Sequence, residues 1–115
     1  MEFIEHKTGN GSVVELSASE VLIQSEQDAL DIIANIGYLY DSNKIIIHKE
    51  SLSEAFFDLK TGLAGDILQK FSNYRMQLVV VGDFSQYTSM RLKEFLLESN
   101  KGSQVNFLPD ITAVL

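Results

Sequence analysis

The side chains best suited to chemistry stand in two short segments, His48-Lys49-Glu50 and Gly82-Asp83-Phe84-Ser85. Each follows a β-branched run, Ile45-Ile46-Ile47 or Val79-Val80-Val81. A third segment, Asp58 to Gly65, opens a predicted helix and adds Asp58, Thr61 and Gly62. In an open α/β sheet, ligands collect outside the carboxyl ends of the strands. His48, Asp58, Thr61, Gly62, Asp83 and Ser85 are therefore the candidate ligand- or partner-binding residues.

His48 can act as a general base or as a pH-sensitive contact. Its structural alternative is a half-exposed strand-end residue bonded to backbone. Ser85, His48 and Asp83 contain the parts of a nucleophilic triad. No GxSxG elbow is present, however, and Asp83 and Ser85 share a turn in which such residues bond their own backbone. Lys60-Thr61-Gly62-Leu63-Ala64-Gly65 looks like a phosphate loop only on the surface, because its lysine precedes the glycines and the GxxxxGK[ST] spacing is missing. The structural reading is that Thr61 or Asp58 caps the helix, while Gly62 and Gly65 let it lie close to the sheet. A helix amino terminus carrying a hydroxyl is also a place for an anion or a phosphate. A carboxylate-only metal site would need Glu50, Asp58 and Asp83 to converge, which their spacing does not require. No cofactor, metal or catalytic residue is assigned. His6, in a predicted hairpin, reads as structural or solvent-facing, and Phe56-Phe57 as a core anchor.

The elements that must position these residues follow from periodicity. Phe3 to Lys7 and Ser12 to Ser17 read as strands joined by the turn signal Thr8-Gly9-Asn10-Gly11. Val21 to Gln24 reads as extended. Ser25 caps a helix with Glu26 and Asp28 in its first turn and Ala29, Ile33, Ile36 and Tyr40 at helical spacing. Leu63, Ile67, Phe71 and Tyr74 mark a second helix, in which Asp66 and Lys70 stand at i, i+4 for an ion pair. Leu92, Phe95 and Leu96 mark a third, ending near Asn100-Lys101-Gly102. Strands at Ile45–Ile47 and Val79–Val81, apolar on both faces, are predicted to be adjacent, parallel and buried. Val105 to Leu108 forms a last strand. A short helix fits Ser53 to Asp58, and another fits Ile111 to Leu115. The result is an α/β fold: an N-terminal hairpin followed by αβαβαβ on a mixed sheet.

The chain has 115 residues, which predicts one domain over 1–115. It contains no cysteine, so disulfides, thiolate metal sites and a cysteine nucleophile are excluded. Its formal net charge is −7, and its nine Lys and Arg form no basic run. Nucleic acid and anionic membrane surfaces are disfavoured as partners on that ground. The expected location is cytoplasmic, since Met1 to Gly11 lacks a signal-peptide pattern and no apolar run has the length of a membrane span.

The segments FFDLKTGLAGDILQKFSNY, LVVVGDFSQYTS and FLLESNKG closely resemble the bacterial family known as domain of unknown function 4180, from about Gln27 onward. That resemblance implies no activity. IIIHKESLSEAFFDLKTGLAG is more distantly similar to the STAS domain of anti-sigma factor antagonists. There a buried strand leads to an Asp-Ser-Ser-Gly-Leu segment whose serine, at a helix amino terminus, is phosphorylated by a partner kinase. Thr61-Gly62-Leu63 matches its Ser-Gly-Leu part, while Asp58 is displaced by Leu59 and Lys60. The resemblance implies a STAS-like regulatory module that binds a protein partner or itself, with an anion or phosphate switch at Thr61. The alternatives are a small-molecule or anion sensor, and a small hydrolase or transferase using His48 with Asp58 or Asp83. Self-association through an exposed hairpin edge is a further option, unless Glu2, Glu5 and Lys7 blunt that edge.

Overall fold

The computed structural model describes residues 1–9 and 11–115. Strands β1 (Glu2–Thr8) and β2 (Gly11–Ser17) pair antiparallel. Asn10, part of the predicted turn between them, lies outside the described residues. Helix α1 (Glu26–Leu39) leads to β3 (Lys44–His48), α2 (Leu63–Asn73) to β4 (Gln77–Val81), and α3 (Met90–Lys101) to β5 (Val105–Leu108). The sheet order is β1-β2-β3-β4-β5, and every pair after the hairpin is parallel.

Local chemistry explains the boundaries. Ser25 accepts a hydrogen bond from the Asp28 amide at the start of α1, and Ser89 does the same for Leu92 at the start of α3. Each satisfies an amide that the first helical turn leaves without a partner. Gly102 closes α3 as expected. Ile45–Ile47 and Val79–Val81 are paired, parallel and buried. The stretch Ser53 to Asp58 contains a 3-10 turn at Glu54–Phe57 capped by Ser53, with Phe56 and Phe57 in the core. Val21–Gln24 contributes only a single bridge, Ile23 to Leu52.

All three helices lie on one face of the sheet. Their buried residues, including Ile33, Ile67 and Leu92, join Val14, Leu16, Ile45, Ile47, Leu78, Val80, Val105 and Phe107 in the larger core. This follows from the order of the strands. Each crossover adds the next strand on the same side, so right-handed connections place every helix over the same face. The other face presents Val13, Ile46, Val79 and Val81, which Leu108, Ile111 and Val114 cover. The helix expected at the C-terminus is a 3-10 turn, Ile111–Ala113, and it forms part of that cover.

Three sequence expectations change. Tyr74, placed in the apolar stripe of α2, is exposed. Lys70 pairs with Glu26 of α1 at 3.5 Å rather than with Asp66, because the neighbouring helix offers a carboxylate across the interface. Gly62 and Gly65 are not packing glycines, since a Cβ on either would meet nothing within 4 Å. Gly62 is needed for its left-handed backbone, φ 75°, between a 3-10 turn and α2. The close approach is at Gly82, where a Cβ would lie 2.6 Å from the Cβ of Lys49.

Candidate functional site

The side chain of His48 turns onto the face free of α-helix. Its Nε2 lies 2.6 Å from Oε2 of Glu15, and Nε2 of His6 lies 2.8 Å from Oε1 of the same carboxylate. Register explains this meeting. Glu15 pairs with Ile4 on one side and Ile46 on the other. His6 and His48 stand two residues beyond those partners, so all three side chains share a face as diagonal neighbours. Glu15 is only 12% exposed, against 25% for His6 and 37% for His48. Burial opposes ionisation of Glu15. Hydrogen bonds from His48 and His6, with the charges of both rings, outweigh it and hold the carboxyl below the usual glutamate range. One carboxylate thus clasps three strands together. Among the described residues, no group of three or more His, Cys, Asp or Glu side chains is arranged to hold a metal ion.

The remaining predicted residues lie at the carboxyl rim of the sheet, where each serves its own turn. Asp58 accepts from the Lys60 amide. The Thr61 hydroxyl sits 2.8 Å from the Ala55 carbonyl and 2.9 Å from that of Asp58, and accepts from the Leu63 amide. Asp83 accepts from the Ser85 amide at 2.9 Å. Hydrogen bonds from the Ser85 hydroxyl and amide, with the charge of Lys49, hold the Asp83 carboxyl below its usual range despite some desolvation. His48 makes no described hydrogen bond to Asp58, Asp83 or Ser85; its partner is Glu15.

Lys49 is the rim residue whose importance was not visible in the sequence. Its stem lies on Gly82, and its ammonium sits 5.2 Å from the Tyr87 ring centroid and 5.9 Å from that of Phe57. Phe57 and Tyr87 are stacked, with centroids 5.0 Å apart. The Tyr87 hydroxyl donates to Glu54, whose carboxylate is 3.7 Å from Lys49 Nζ. Burial, then the negative charge of Glu54, pushes the Tyr87 phenol above its ordinary range. The ammonium is held by cation–π contacts to both rings and an ion pair with Glu54. Outside this box the rim carries three exposed carboxylates, Glu50, Asp58 and Asp83, against one exposed lysine, Lys60. The glycine after β4 was the sequence signal for the close approach, but only the fold shows that Lys49 makes it.

Three cavities are lined by α1 with Tyr74 and Met76, by the amino ends of the strands, and by Met1 with α1; none of the three includes a rim residue. No helix among the described residues is long and apolar enough to cross a membrane. The fold and rim define a class: a small α/β domain on a five-stranded mixed sheet, with its α-helices on one face. The chain belongs to the family described as Domain of unknown function (DUF4180), which it matches over residues 8–115. No curated protein and no solved structure matches it.

Proposed function

We propose that the domain is a regulatory protein-docking module of STAS-like type, which offers its acidic carboxyl rim to a basic surface on a partner protein. The observation that carries this reading is the sheet order. Strands run β1-β2-β3-β4-β5 without reversal. Ligand crevices in open α/β sheets form where the order reverses and helices part to opposite faces. A sheet without that reversal lacks the standard crevice, which weighs against the sensor, hydrolase and transferase readings. The rim polar groups are spent on their own turns, so they form a fixed surface rather than a set of free reacting groups. Its excess of carboxylates favours a positively charged partner.

Thr61 lies at the amino end of α2, where the dipole tolerates added negative charge. A phosphate there would give up the contacts its hydroxyl makes to Ala55 and Asp58, and would change rim charge and turn geometry together. The test is affinity capture from cells with the tagged domain, compared with the triple variant Glu50→Lys, Asp58→Lys, Asp83→Lys. A partner held by the wild type, released by salt and lost in the variant supports the reading. A partner retained equally by both, or none captured, refutes it. Thr61→Glu, with melting and partner affinity measured together, tests the switch: native stability with altered affinity supports it, and plain destabilisation leaves Thr61 as a cap.

A further inference from the structure

The sheet has two edge strands, β1 and β5, and the chain treats them differently. β5 is four residues long and is followed by Pro109. The carboxamide of Asn100, in α3, donates to the Phe107 carbonyl at 3.0 Å and accepts from the Phe107 amide at 2.7 Å. The backbone that β5 turns outward is thereby satisfied within the chain. Shortness, proline and cover of this kind are the usual ways of closing an edge. β1 uses none of them. It runs seven residues, Glu2–Thr8, in unbroken register with β2 and without proline. Among the described residues, no side chain bonds its backbone, and β2 is the one strand paired with it.

The free groups of β1 can be identified. Ser42, just before β3, donates to the Ser12 carbonyl at 2.8 Å. That carbonyl faces away from β1, so Ser12 and its partner Lys7 form a non-hydrogen-bonded pair. The amide and carbonyl of Lys7 therefore point to the open edge. By alternation, those of Glu5 and Phe3 do the same.

The side chains on this edge select its occupant. Any strand can add to free backbone, but self-pairing about a two-fold axis also requires that facing residues suit each other. With the axis at His6, Glu5 of each copy stands opposite Lys7 of the other, on both sides of the axis. Opposite charges directly across a strand pair attract, and like charges repel. An axis at Glu5 or at Lys7 would set like charges face to face. Glu5 and Lys7 already pair at 3.4 Å within the chain, so the dimer closes their charges in alternation. His6 falls on the axis with its ring bonded to its own Glu15 at 2.8 Å, and needs no partner from the other copy.

We propose that β1 is the interface of a homodimer, in which the two β1 strands pair antiparallel about His6 and join both five-stranded sheets into one. The carboxyl rim follows β3 and β4, with β2 between it and this edge. The dimer therefore leaves both rims exposed, and the proposal does not depend on what the rim binds.

Sedimentation equilibrium and amide hydrogen exchange of the chain test it. The wild type is expected to be a dimer, with the Glu5 and Lys7 amides gaining protection as protein concentration rises. Glu5→Pro removes an outward amide and keeps those that bond β2. It should be monomeric at concentrations where the wild type is dimeric, with an unchanged far-ultraviolet circular dichroism spectrum. The Lys7 side chain is 80% exposed, so Lys7→Glu should leave the fold intact. It too should dissociate the dimer, and adding Glu5→Lys should restore it. A wild type that stays monomeric up to roughly 1 mM overturns the proposal. So does a dimer whose Glu5 and Lys7 amides exchange freely, which would place the contact elsewhere, for instance on the exposed Tyr38 and Tyr74 of the helical layer. A dimer that survives Lys7→Glu, or a charge exchange that fails to restore association, overturns the pairing about His6.

Discussion

Gly82, Gly62 and Gly65 are chemically the same and structurally different. At Gly82 the obstacle is the Cβ of Lys49, an atom close to its backbone that cannot swing aside. Gly82→Ala should therefore destabilise by about 1–3 kcal/mol, the usual cost of forcing atoms into a packed site. Gly62→Ala meets no neighbour, but it must hold φ 75°, so a loss of roughly 1–2 kcal/mol is expected. Gly65 lies exposed within α2 with open space around it, and Gly65→Ala should stabilise by about 0.5–1 kcal/mol. Urea titrations of the three variants check the order. A stabilising Gly82→Ala would refute the assigned contact with Lys49.

Between elements, Glu15 is the link from the edge strand β1 through β2 to β3. Its carboxyl is held below the usual range in the folded chain, so it binds a proton more readily when unfolded. The stability it contributes is fully present above the unfolded pKa, about 4.3 for glutamate, and is lost as pH falls through the lower folded value. Glu15→Gln should remove that part of the acid limb. Its stability should vary less than the wild type's as the solution is taken below about pH 5, in parallel denaturant titrations. Identical pH slopes for the two proteins would show that the clasp does not contribute. Ile46, fully buried on the face free of α-helix, tests the sheet itself, and Ile46→Ala should cost about 2–5 kcal/mol.

For the molecule as a whole, the two sheet faces are covered unequally. Three helices cover one face, and Leu108, Ile111 and Val114 cover the apolar centre of the other. Ile111 and Val114 are only partly buried, yet Val13, Ile46, Val79 and Val81 beneath them are almost fully so. Replacing both with Asp should expose that face. We expect increased binding of a hydrophobic dye and a loss of about 2–4 kcal/mol, from the apolar area returned to water. Unchanged dye binding and melting would show that the segment is not needed as cover.

The sequence by itself determined the elements and their order. Ser25 and Ser89 before helical spacing, the β-branched runs Ile45–Ile47 and Val79–Val81, and Gly102 after α3 are local signals, because caps and periodicity act within a few residues. Family membership was also legible in the three segments between Phe56 and Gly102. Only the tertiary structure decided which residues meet. His6, Glu15 and His48 come from three strands, and their meeting depends on the register of β2 against β3, which no turn between them fixes. Lys49 meets Gly82, Phe57 and Tyr87 because two parallel strands end side by side, a consequence of pairing across the whole of α2. The expected gathering of His48 with Asp58 and Asp83 failed for the same reason. The alternation of β3 sends His48 to the face free of α-helix and toward Glu15, while Asp58 and Asp83 are taken up by their own turns.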